Sequence, residues 1–160
     1  MKYCILLVLL LFAHQLLSAQ QIRVVTYDSL AHTIYNKSDT TYVLHFFATW
    51  CIPCMNELPI IISYDKQHTA ARYKLVLVSL DPSNTAIQNL QAVISKLDIT
   101  NTIYVLQDSN ANDWISKVDP KWSGAIPATL FINQHIAFRK FIAEPVTLQS
   151  LTKILKNKYD

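Results

Sequence analysis

The segment HFFATWCIPCMNELP, His45 to Pro59, sets two cysteines three positions apart where an apolar run gives way to a polar, helix-like one. From Thr41 to Ala48 the residues are almost all β-branched, aromatic or aliphatic. Such a run reads as a strand buried on both faces, in the middle of a sheet. A helix is expected from about Pro53 to about Ala71, because proline suits a first turn; Pro59 lies inside it and is expected to kink it by removing one backbone bond. Cys51 then stands at a helix N-terminus, where the dipole and unpaired N–H groups stabilise a thiolate. Cys54 lies one turn further on, within reach of a small disulfide ring. A pair so placed can cycle, with Cys51 attacking a substrate disulfide and Cys54 resolving the mixed disulfide.

Two other readings of the pair stand beside redox exchange. Zinc needs about four ligands and one CxxC supplies two, while His32, His45, His68 and His135 are scattered without paired spacing. No zinc site is expected, but copper(I) is satisfied by two thiolates, so copper delivery is an alternative. A purely structural clip is the other, within a binding module that does no catalysis, although so short a loop constrains the unfolded chain little.

Working outward, 160 residues suit one domain with a real core. The first residues carry Lys2, an apolar run from Ile5 to Ala13, and small residues at Ser18 and Ala19. This reads as a signal peptide over 1–19 with the domain over 20–160; His14 and Gln15 stop the run short of the ~20 residues that span a bilayer. An uncleaved membrane anchor is the alternative. Cleavage removes Cys4 and leaves only Cys51 and Cys54, in the oxidising compartment that export implies. The formal charge of +3 becomes +2 once Lys2 is lost, too small a balance to argue for nucleic acid or a membrane surface. Asn36-Lys37-Ser38 is a glycosylation sequon by pattern only.

Along the chain, Ile22 to Tyr27 reads as a strand, and Asp28 as the cap of a short helix. Tyr73 to Asp81 is a second buried strand, the segment from Pro82 to Asp98 an amphipathic helix, and Thr102 to Asp108 another strand. A short helix follows around Ala111 to Val118. ATLFIN and IAFRKFIA, parted by a tight polar turn, read as a β-hairpin. The last helix carries Leu148, Leu151, Ile154 and Leu155 on one face. Strands alternating with helices predict an α/β domain of three layers around a central mixed sheet. Gly124 is the only glycine, so Asn and Asp are expected to make most turns, among them Asn133-Gln134-His135.

FFATWCIPC resembles the active-site strand and turn of the thioredoxin superfamily, and with MNELP it is most similar to the exported TlpA/ResA-type thiol-disulfide oxidoreductases. GAIPATLFIN resembles that family's segment with a cis-proline. The two motifs are 76 positions apart, from Cys51 to Pro127, and the resemblance runs from Ile22 to Tyr159. It implies a thioredoxin-like fold and an enzyme whose redox-active Cys51–Cys54 disulfide serves in place of any other cofactor. Cys51 is its nucleophile, Cys54 its resolving thiol, and Glu57 an assistant to proton transfer. Trp50 reads either as packing beside the disulfide to shape the groove or as plain core packing, and the resemblance implies a cis Ile126-Pro127 bond that leaves the backbone of Ile126 free to pair with a substrate strand. The implied partners are exported proteins carrying disulfides, apocytochromes c among them, and a membrane electron donor; the implied setting is the bacterial periplasm, for a monomer. His45 departs from the pattern, since the family holds aspartate or asparagine there. It reads either as a hydrogen-bonded structural residue or as a proton relay.

Overall fold

The computed structural model describes residues 22–35, 38–69, 72–108 and 110–156. The expected signal peptide with Cys4, and Asn36 and Lys37 of the sequon, lie outside these residues.

Every residue of Thr41–Phe47 is buried, as its uninterrupted apolar run requires of a strand covered on both faces. In chain order the elements are β1 (Ile22–Val25), α1 (Tyr27–Ile34), β2 (Thr41–Phe47), α2 (Ile52–Gln67), β3 (Tyr73–Ser79) and α3 (Ser83–Leu97). They continue with β4 (Ile103–Leu106), α4 (Asn112–Val118), β5 (Ala128–Asn133), β6 (Phe138–Ile142) and α5 (Leu148–Lys156). The strands form one sheet in the order β1-β4-β3-β2-β5-β6. Strand β2 pairs parallel with β3 and antiparallel with β5, which makes the sheet mixed, as expected.

Alternation along β2 divides the core. Val43 and Phe47 face a cluster containing Leu58, Ile61 and Ile62 of α2, Leu90 of α3, and Leu151 and Leu155 of α5. Leu44 and Phe46 face the opposite cluster, with Leu30 and Ile34 of α1 and Trp114 and Val118 of α4. Helices therefore cover both faces, and the three-layer α/β architecture follows. Because His45 shares the parity of Val43 and Phe47, its ring enters the α2 side of the sheet.

Local details differ from the sequence expectations. Thr26, not Asp28, caps α1, its Oγ1 accepting from the N–H of Ser29 at 3.3 Å, while Asp28 sits inside the first turn, where its charge suits the dipole. Helix α2 ends at Gln67, short of Ala71, and runs through Pro59 without interruption. On α5 the buried face is Leu151, Ile154 and Leu155, whereas Leu148 is half-exposed in the first turn, beyond the reach of the core. Thr147 and Ser150 exchange backbone-to-hydroxyl hydrogen bonds at the start of that helix.

The hairpin turn is built differently from a plain Asn-Gln-His turn. Asn133 is the last residue of β5, and its side-chain Oδ1 accepts from the N–H groups of His135 and Ile136 while its Nδ2 donates to Thr41 Oγ1. The left-handed residue is Ala137, at φ 50°.

Candidate active site

The site lies where β2 leaves the sheet. After Phe47 the chain turns through Ala48, Thr49 and Trp50, and the N–H of Cys51 donates to Ala48 O at 3.1 Å. The turn is pinned from the neighbouring strand by Asp81, a buried carboxylate just past the end of β3. It accepts from the Thr49 N–H at 3.0 and 3.2 Å, from the Thr49 hydroxyl, and from Ser79 Oγ at 2.7 Å.

Cys51 is the N-cap of α2, and its sulfur accepts from the N–H of Cys54 at 3.3 Å. The two sulfurs are joined in a disulfide. Their exposure is unequal: Cys51 retains 6 % of its surface, while Cys54 has none. An incoming thiol or disulfide therefore meets Cys51 first. Trp50 and Ile52, on either side of it in the chain, are 64 % and 74 % exposed, so Trp50 lies at the surface and is not a core-packing residue.

Opposite the disulfide runs the loop before β5. The Ile126-Pro127 peptide bond is cis, and Ile126 O lies 3.7 Å from Cys51 Sγ. A disulfide sulfur carries no proton, so this approach is a van der Waals contact. The loop is held by Trp122 Nε1, which donates to Ala125 O at 2.7 Å. Gly124 sits at φ +86°, and a Cβ there would stand 2.9 Å from Ile115 Cδ1, which explains why the one glycine of the chain is spent here.

Beneath the disulfide lies Glu57, one turn along α2 from Cys54 and nearly fully buried. Its Oε2 accepts from the N–H of Val146 at 2.6 Å, and its Oε1 lies 3.4 Å from His45 Nε2. His45 is wholly buried, with Nδ1 3.1 Å from Thr129 Oγ1. Burial disfavours charge on both groups. It raises the Glu57 carboxyl to about 7, against the opposing pull of the Val146 N–H, and lowers the His45 imidazole to about 3. His45 is thus a neutral ring through the physiological range, and Glu57 is a group able to take or give a proton near neutrality.

Every expected site residue gathers at this corner: Trp50, Cys51, Cys54 and Glu57 from the β2–α2 connection, Ile126 and Pro127 from the facing loop. Asp81, Thr129 and Val146 belong to it as well and were not anticipated. Thr129 follows Pro127 by two residues and pairs directly with His45 across β5 and β2, a register that only a correct hairpin assignment reveals. Val146 acts through its backbone, which carries no sequence signal.

A family model described as AhpC/TSA matches residues 19–140, most of the chain. The chain belongs to the AhpC/TSA family. Among relatives of this member, sporulation thiol-disulfide oxidoreductase A of Bacillus subtilis is 43 % identical over 61 residues, 38 % of this chain and 34 % of that protein. The thiol-disulfide oxidoreductase ResA of Oceanobacillus iheyensis is 25 % identical over 115 residues, 72 % of this chain and 55 % of that protein. The matches thus span from about a third to about half of the length of these curated relatives. The crystal structure of StoA from Bacillus subtilis superposes with a TM-score of 0.58 at 28 % identity, over 75 % of this chain and 84 % of that one. The fold of this AhpC/TSA member is thioredoxin-like.

Proposed function

We propose that the chain is an exported thiol-disulfide oxidoreductase that reduces disulfides in other exported proteins. The observation that carries this reading is the asymmetric cysteine pair, with one sulfur accessible at a helix N-terminus, its partner sealed behind it, and the Ile126-Pro127 loop against the accessible sulfur. The relatives named as thiol-disulfide oxidoreductases support it.

In the reduced protein, Cys51 is a thiolate held by the N-terminal N–H groups of α2. It attacks one sulfur of a substrate disulfide, and the other substrate sulfur leaves as a thiolate. Cys54 gives its proton to ionised Glu57 and attacks Cys51 Sγ. The Cys51–Cys54 disulfide forms, and the substrate leaves with both of its sulfurs reduced. Two electrons have passed from the protein to the substrate; in this reading a membrane donor returns them. The free backbone of Ile126 aligns an extended substrate segment during the attack. Apocytochromes c are one substrate class that fits, the setting is the bacterial periplasm, and the protein works as a monomer. Among the described residues no helix is long and apolar enough to cross a membrane.

The test is the reduction potential of the cysteine pair in glutathione or dithiothreitol buffers, together with turnover of a protein disulfide such as insulin. A value near or below about −250 mV, with turnover abolished in Cys51→Ser, is the expected result. A value near −120 mV would reverse the direction of electron flow. Undiminished turnover in Cys51→Ser would overturn the assignment of the nucleophile.

A further inference from the structure

We propose that Glu57, His45 and Thr129 share protons as one chain, in which ionisation of Glu57 inverts the tautomer of His45, so that His45 positions the proton that Glu57 exchanges. The inference deepens the proposed thiol chemistry, where Glu57 is the proton acceptor, and rests on that reading for its purpose though not for its test.

The argument begins with Oε2 of Glu57, which is committed to the Val146 N–H at 2.6 Å. When Glu57 is a neutral acid its proton therefore sits on Oε1. That atom is buried and has no hydrogen-bond partner; it lies 3.4 Å from His45 Nε2, itself buried and unpartnered. Two buried polar atoms facing each other at this distance avoid the cost of isolation only by taking complementary roles. Neutral Glu57 presents a donor, so Nε2 must present its lone pair and the imidazole proton must be on Nδ1, donating to Thr129 Oγ1. Ionised Glu57 presents an acceptor, so Nε2 must carry the proton, and Nδ1 becomes the acceptor of the Thr129 hydroxyl. A histidine fixed in one tautomer would set donor against donor, or lone pair against lone pair, in one of the two states.

Thr129 makes the inversion feasible. A hydroxyl both donates and accepts, so the 3.1 Å contact to Nδ1 survives in either direction. A carbonyl there would have held one tautomer. The balance is one proton: the neutral state holds protons on Oε1, Nδ1 and Oγ1, the ionised state on Nε2 and Oγ1, and the ring is uncharged throughout. The groups packed around the pair leave the two to respond to each other. Phe47 of β2 stacks on the ring at 5.9 Å, Leu77 of β3 lies beside it in register, Thr129 comes from β5, and Val146 contributes only its N–H. Cys54 is the titratable neighbour on α2 once the disulfide is reduced. Among the described residues, burial and the Val146 N–H are the influences on the two groups, with no lysine, arginine or second carboxylate beside them.

The decisive experiment uses the full chain with its disulfide intact, so that no thiol chemistry intervenes. The sequence has two glutamates, Glu57 and Glu144, and five histidines, so carboxyl-labelled glutamate and ring-labelled histidine give few signals, and His45→Phe identifies the ring of interest. The expected result is a His45 ring that passes from the Nδ1–H to the Nε2–H tautomer with the same midpoint, near pH 7, as the Glu57 carboxyl. In Glu57→Gln the His45 tautomer becomes independent of pH. In His45→Phe the ionised carboxylate loses its donor, and the Glu57 midpoint rises by about one pH unit, a tenfold change in its proton affinity. One tautomer from pH 5 to 9 while Glu57 titrates, or an imidazole that becomes cationic in that range, would overturn the proposal. Insulin turnover reports separately on the oxidoreductase reading, because the tautomer is measured whether or not the protein reduces anything.

Discussion

The carboxylate of Asp81 accepts two contacts from the backbone N–H of Thr49, at 3.0 and 3.2 Å, although the residues are 32 positions apart. One buried acid on β3's far end thereby fixes the turn that delivers Cys51. Removing it strands the Thr49 N–H and the hydroxyls of Thr49 and Ser79 near the site. Asp81→Ala should cost about 2 kcal/mol, the scale of a lost charge-assisted bond, and Asp81→Asn less, since an amide oxygen still accepts from Thr49. Urea unfolding reads this directly, and an Asp81→Ala midpoint equal to wild type would show that the turn holds itself.

Folding should depend on pH through the two buried groups, with opposite signs. Glu57 binds its proton more tightly when folded, at about 7 against 4.5, so its contribution is present below pH 4.5 and is lost as pH rises to 7. His45 binds its proton less tightly, at about 3 against 6.5, so its contribution is present above pH 6.5 and is lost as pH falls to 3. Between pH 4.5 and 6.5 the slopes oppose, and stability is nearly flat; below 4.5 only the histidine slope acts and stability falls. Glu57→Gln should rise in stability across 4.5 to 6.5, and His45→Phe should fall across 4.5 to 7. Parallel curves for all three proteins would refute the linkage.

Trp50 and Ile52 present apolar surface to solvent on both sides of a sulfur that is itself nearly covered. They contribute little to the core, so Trp50→Ala and Ile52→Ser should change stability by less than about 0.5 kcal/mol. Under the proposed function their exposed surface is available for substrate contact. KM for a disulfide-bearing protein substrate should rise several-fold while the rate with a small disulfide is unchanged, and equal effects on both substrates would assign these side chains to the chemistry instead.

Ala137 takes the left-handed conformation at φ 50° that closes the β5–β6 turn. A Cβ there costs roughly 1–2 kcal/mol, partly offset by the greater chain entropy that glycine gives up. Ala137→Gly should therefore stabilise the protein by about 0.5–1 kcal/mol without altering turnover. A loss of stability in thermal unfolding would contradict this account of the turn.

Strand β2 was legible because residues buried on both faces are mostly apolar, and a run from Thr41 to Phe47 allows little else; Leu75 to Val78 of β3 repeat that pattern. The start of α2 was legible because Pro53 and the cysteines mark it locally. Its end was not, since Gln67 and the residues beyond it carry no strong stop signal. The Thr26 cap and the half-exposed Leu148 were missed for a related reason: capping and burial are decided by the angle at which a helix meets the sheet. A single sequence records only that Asp28 is able to cap and that Leu148 is apolar.

At the site the division is sharper. The sequence by itself determined the cysteine pair and its place at a helix start, because each is a local pattern with its own covalent or conformational chemistry, while the role of Pro127 came only through the resemblance to a family. Tertiary structure alone decided which sulfur is reachable, that Asp81 pins the turn, and that His45 looks at Glu57 on one side and Thr129 on the other. Those relations depend on the register of β2 against β5 and on where α2 lies across the sheet, and burial then gives them their force, because a buried polar atom finds its partners among the few atoms within reach.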